Sequence, residues 1–259
     1  MTQQASIAIP RDPAVQYLLR LGDTCLILGQ RLAEWCGHGP VLEEDIALAN
    51  MALDLVGQAR ALLTRAGQAS GHGYDEDQLA FLRNECDYVN PTLVELPRGD
   101  FAFTVVRNAM VSTLLKLLWK RLATSSDAEL AAIAGKAVKE ARYHQQHAAD
   151  WVARLGDGTE ESRRRTQAAL TQLWRYVPEL FVADSVDEAA HAAGLGPRWA
   201  DLREAWLAEM AQILSAAELA VPRESAFIST GRNGVHSEHM GYLLAEMQHL
   251  QRSFPGGVW

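Results

Sequence analysis

An all-α protein with a four-helix core is what the 259-residue sequence predicts. Glycine and proline cluster at "GHGP" (37–40), "GHG" (71–73), "GLGP" (194–197), "GRNG" (231–234) and "FPGG" (254–257). The segments between these breaks carry helical rather than alternating apolar patterns. The first part of the chain holds four long segments of this kind, each of about 22 to 30 residues by pattern.

The first helix starts near Pro13 behind Asp12, a favoured cap followed by proline at the first helical position, and is expected to stop at Gly37. Val15, Leu18, Gly22, Cys25, Gly29, Leu32 and Cys36 form one stripe along it. The second runs from about Glu43, with acidic residues in its first turn that suit the helix dipole, to the Gly71 break. Asp75, Glu76 and Asp77 open a short helix. Asp100 caps a third long helix, "VVRNAMVSTLLKLLWKRLA", apolar over much of its circumference and therefore central. Asp127 caps the fourth, which continues to Gly156. Beyond this core, about 13–156, additional helices are expected across about 159–253: near 160–177, at Ser185 with Glu188 in capping-box spacing, after Pro197, and near 237–253. No linker-like stretch divides the chain, so a single domain over 1–259 is expected.

Composition narrows the function classes. A formal charge of −8 argues against binding a phosphate backbone, and the run Arg163 to Arg165 reads as a solvated helix face. Cys25, Cys36 and Cys86 are scattered with no C-x-x-C pair, which fits a reduced cytoplasm. The segment "MTQQASIAIPRDP" lacks the character of a signal peptide, and the apolar runs read as too short to span a bilayer, so a soluble protein is expected. Nucleophile elbows and phosphate-binding glycine loops are absent from the sequence.

The chemistry-bearing stretch is "KEARYHQQH" (139–147). A helical bundle holds two iron ions when two helices each give a carboxylate and two others each give Glu-x-x-His. Here Glu140 is followed three residues later by Tyr143, and His144 would need its glutamate at Ala141. Glu140 and His144 still share a helix face, so an unusual ligand set such as Glu34, Glu140 and His144 stays open. "HSEH" and "EMQH" near the C-terminus offer a second set, Glu238, His239, Glu246 and His249, although a lone Glu-x-x-His arises readily by chance and Met247 and Leu250 read as a core face.

The pieces "LRLGDTCLILGQRLAEWCGHGP", "LANMALDLVGQAR", "KEARYH" and "HSEHMGYLLAEMQHLQRSFPG..W" resemble the C-subunit family of bacterial phenylacetyl-CoA epoxidases across nearly the whole chain. The resemblance implies a ferritin-like four-helix bundle that is a non-catalytic sibling of a di-iron A subunit. On that alignment Glu34 and His144 keep a ligand type. Leu55 and Gln58 replace a glutamate and a histidine, Ser112 replaces an acidic ligand, and Ala141 replaces a glutamate. The resemblance then implies no metal in this chain, iron in the catalytic partner, electrons from a reductase component, and no nucleic-acid or membrane partner. Glu34 and His144 are expected to remain as a buried pair, with Gln58 satisfying leftover groups, or Glu34 to lie at the surface. Two other readings stay open: a metalloenzyme in its own right, and a free-standing helical binding module.

Overall fold

The computed structural model describes residues 7–257; part of the segment read for a signal peptide and Trp259 of the C-terminal motif lie outside these. In chain order the helices are α1 (Pro13–Ala33), α2 (Leu42–Ser70), α3 (Glu76–Phe81), α4 (Thr92–Glu95), α5 (Phe101–Leu122), α6 (Ala128–Gly156), α7 (Glu160–Trp174), α8 (Val177–Phe181), α9 (Ser185–Ala192), α10 (Arg203–Ala216), α11 (Glu238–Met247) and α12 (His249–Ser253). Among the described residues no β-strand forms, and Thr230 and Val235 make an isolated bridge.

Local chemistry sets most boundaries. The Asp12 carboxylate accepts from the Ala14 and Val15 amides at 3.0 and 3.1 Å, satisfying donors that the first turn leaves free. Asp100 and Asp127 do the same for α5 and α6, and Asp75 with Gln78 forms a capping box on α3. Gly71 ends α2 in the left-handed region at φ +68°, where a side chain would be strained. Three expectations shift. α1 ends at Ala33, before Gly37. The cap of α9 is Asp184, whose carboxylate accepts from the Asp187 amide at 2.9 Å, so Ser185 becomes the first helical residue. The terminal helix divides at Gln248, whose side chain turns inward and donates to the Tyr88 hydroxyl at 2.8 Å.

The four long helices make a ferritin-like core in which α1 packs chiefly on α2 and α5 on α6, while α2 also meets α6. Partner numbers run in opposite senses, Gly22 against Leu63 and Gly29 against Leu55, so α1 and α2 are antiparallel. α5 is buried around most of its circumference, as its apolar sequence predicts. α1 is buried all round too, because α4 and α9 cover the faces that α2 leaves; the single stripe is too narrow, and Cys36 lies exposed beyond the helix end. α2 and α5 are both long and apolar enough to cross a membrane by length and composition, which corrects the reading of short apolar runs; 83% of the α5 window is buried inside the bundle. α7 and α10 pack on α5 and α6, and the Trp206 indole donates to the Met110 carbonyl at 2.8 Å.

Candidate functional site

The inner row of α2 is Glu44, Leu48, Met51, Leu55 and Gln58; that of α6 is Ala137, Ala141, His144 and Ala148. Spacings of three and four put each row on one face. Three polar links cross between the two helices. The His147 Nε2 lies 2.8 Å from Glu44 Oε2, the His144 Nε2 lies 3.0 Å from Asp54 Oδ2, and the Gln58 amide donates to Glu140 Oε2 at 2.9 Å. The Gln58 carbonyl oxygen accepts from Cys25 Sγ at 3.5 Å, which extends the strip to α1. Burial holds the His144 imidazole below its ordinary pKa although Asp54 pulls the other way, so the ring favours the neutral form. Burial, with Glu140 nearby, pushes the Cys25 thiol well up.

The residues at the expected ligand positions divide into two groups. Leu55 and Ala141 are each 1% exposed and pack in the core, Gln58 is spanned between Cys25 and Glu140, and the Ser112 hydroxyl donates to the Asn108 carbonyl of its own helix. Glu34 stands apart. It caps the C-terminus of α1, pairs with Arg31 at 2.5 Å, and accepts from Arg98 through its carbonyl at 2.8 Å. The α1 residue facing Leu55 is Gly29, where an added Cβ would lie 3.4 Å from the Leu55 Cβ. Glu34 is five residues further on, about 7.5 Å along the helix. The expected Glu34–His144 pair therefore does not form: His144 takes Asp54, and Gln58 takes Cys25 and Glu140.

The alternative ligand sets are not brought together either. Glu140 and His144 share α6, but Glu34 lies at the far end of α1. Glu238, Glu246 and His249 are exposed, and His239 is half-buried on α11. The core face there is Met240, Leu243 and Leu244, whereas Leu250 points to solvent and Met247 is partly buried. Among the described residues, no three His, Cys, Asp or Glu side chains are grouped so that they could hold a metal ion.

His236 of the "HSEH" motif, left out of the candidate ligand sets, has a fully buried side chain. Its Nδ1 lies 2.6 Å from Glu95 Oε2 and its Nε2 lies 2.9 Å from the Tyr88 carbonyl. Both partners are acceptors, an arrangement that the doubly protonated imidazolium satisfies at both ring nitrogens. Burial is the largest influence and opposes that charge, but the bond and attraction to Glu95, with the bond to the Tyr88 carbonyl, together outweigh it and raise the pKa. The Glu95 carboxylate also accepts from Asn90 at 2.9 Å and from the Ser237 amide at 2.6 Å. Asp54, Glu44 and Glu95 are the partners that sequence reasoning missed. A signal existed for Glu44 alone, in its register with Leu48, Met51, Leu55 and Gln58.

The family described as phenylacetic acid catabolic protein matches residues 1–259. The chain is 49% identical, over 243 residues, to the protein of Escherichia coli (strain K12) named as the C subunit of 1,2-phenylacetyl-CoA epoxidase; the match covers 94% of this chain and 98% of that protein. A full-length family match and a near full-length relative mean that the chain belongs to the phenylacetic acid catabolic protein family.

Proposed function

We propose that this chain is the non-catalytic, structural subunit of a phenylacetyl-CoA epoxidase in phenylacetate breakdown, holding a di-iron catalytic subunit through a helical interface. The observation that carries the reading is the packing of Leu55 and Ala141 where the family resemblance would put bridging carboxylates. Iron needs several hard oxygen donors to balance its charge, and an alkyl side chain supplies none. The carboxylates next to these residues in the sequence, Asp54 and Glu140, are each engaged by a neighbour across the helix pair. Oxygen insertion into the aromatic ring, giving the ring epoxide, would then take place on the partner, with electrons delivered by a separate reductase component. This chain would bind no cofactor of its own and work in the reduced cytoplasm, where Cys25, Cys36 and Cys86 stay free thiols.

The outer face of α2 is the surface we assign to the partner. Leu42, Ile46, Leu53 and Val56 are exposed at helical spacing, and Tyr143 of α6 is exposed as well. An exposed apolar row on a long helix marks a place where another helix docks. The test is co-expression with the A-type subunit, reading complex formation and the iron content of each species. Isolated chain without iron, and iron with oxygenase activity in the complex, is the expected result. About two iron ions per isolated chain, the stoichiometry of a dinuclear site, overturns the reading. Ile46→Glu with Leu53→Glu is expected to abolish the complex while leaving the melting profile of the isolated chain nearly unchanged, since both side chains face solvent.

A further inference from the structure

Away from the four-helix core, a cavity of about 290 Å³ opens between the α7–α8 corner, the start of α10 and the loop around Pro222. Trp174 and Phe181, both nearly buried, line it together with Leu207. Behind them Trp206 packs on each ring at a centroid distance of 5.5 Å, which fixes these walls in place. At its edge Arg203 is bonded to Glu224, and both side chains are largely in solvent at 49% and 78% exposure. No residue of this pocket belongs to the α2–α6 strip or to the proposed partner face.

We propose that this pocket binds a small aromatic carboxylate, with the ring against Trp174 and Phe181 and the carboxylate on Arg203 in place of Glu224. The volume sets the size. Small-molecule sites span about 300–1,000 Å³, so this one takes a single ring with a short acidic arm and excludes a nucleotide or a long chain. The charge sets the class. A guanidinium offers a fork of donors matched to a carboxylate, and the pair it now makes is solvent-screened and worth little. An incoming carboxylate whose ring is desolvated against the apolar walls therefore exchanges with Glu224 at small cost. The strips of the Trp174 and Phe181 rings left open to the cavity favour an aromatic ring over a flexible chain, because edge contacts add to area burial.

Binding of benzoate to the full-length chain, followed by titration calorimetry and ligand-observed NMR, tests this. Benzamide serves as the neutral isostere and cyclohexanecarboxylate as the non-aromatic acid. Benzoate is expected to bind saturably, about tenfold or more tighter than benzamide, as befits a charge-assisted bond, and tighter than cyclohexanecarboxylate. Arg203→Gln removes the preference for benzoate over benzamide, and Leu207→Trp fills the pocket and blocks both. Glu224→Gln frees Arg203 and strengthens benzoate binding, a gain that loss of folding cannot imitate. No saturable binding in the millimolar range overturns the proposal. So does equal affinity for benzoate and either control, benzoate binding that Arg203→Gln or Leu207→Trp leaves unchanged, or a Glu224→Gln variant that binds no tighter.

Discussion

At Glu95 a fully buried carboxylate faces an imidazolium, and the pair's pH dependence has a definite sign. Because the folded pKa of His236 is raised above its ordinary value, the folded state binds the proton more tightly than the unfolded chain does. The stability this contributes is complete below about pH 6.5, the unfolded value, and is lost as pH rises through the raised folded pKa. His236→Gln is therefore expected to be most destabilising in mildly acidic buffer, by about 3–5 kcal/mol as for other broken buried pairs, with the difference from wild type shrinking toward alkaline pH. Urea unfolding at a series of pH values measures it, and a pH-independent difference would mean that the ring is neutral. His144 works in the opposite direction, since burial lowers its pKa and favours the neutral ring at the folded site. Neither pairing was legible in the sequence. His236 and Glu95 are far apart in the chain and meet only because α4 and the start of α11 are packed together, so no local spacing encodes them. Leu55, by contrast, was expected in the interior, at the ligand position that the family resemblance assigns to it. It is 1% exposed, and Leu55→Ala is expected to cost about 2–5 kcal/mol through the cavity it leaves, read as a lower urea midpoint.

At the scale of the element, what was readable is what is encoded within a few residues. Asp12 before Pro13, Asp100, Asp127 and Gly71 set helix ends through bonds and dihedrals that need no distant partner. The full burial of α1 was not readable, because α4 and α9 reach it from elsewhere in the chain. Nor was the cap of α9, where Asp184 and Ser185 both have capping chemistry and the folded chain uses the carboxylate. Gly67 shows how a tertiary approach can override helical preference. It sits inside α2, where glycine-to-alanine replacement ordinarily stabilises a helix by about 1 kcal/mol. An added Cβ here would lie 2.0 Å from the Tyr74 carbonyl oxygen, far inside contact distance. Gly67→Ala is thus expected to destabilise the protein, with a thermal midpoint below wild type, because the turn leading into α3 must move. Gly57, also within α2, meets no atom within 4 Å of the same added Cβ, and Gly57→Ala is expected to raise the midpoint.

At the scale of the whole molecule, the helices after α6 complete the core. Arg20 on α1 bonds Asp184 and Asp187 at 2.7 Å each, and Arg232, close to the C-terminal helices, closes the cluster on Asp187 at 2.6 Å. Arg20, Asp187 and Arg232 are buried, and one contiguous apolar cluster runs from Val15 to Leu244. Glu95 likewise takes its imidazolium from beyond residue 230, and Arg31 donates to the His239 carbonyl at 3.2 Å. Cutting the chain after α6 would leave Arg20 without its two carboxylates and Glu95 without its imidazolium, a cost of several kcal/mol each. The four-helix core is accordingly expected not to fold alone, and the intact chain to melt in a single calorimetric transition. Asp187→Asn separates charge from shape at the junction. It keeps the side-chain volume but leaves two buried guanidinium groups facing one carboxylate, so it is expected to lower stability by about 3 kcal/mol or more while the transition stays single. If Asp187→Asn instead splits the melt into two transitions, with the bundle's own midpoint unmoved, then the outer helices are a separate folding unit and the buried cluster does not couple them to the core.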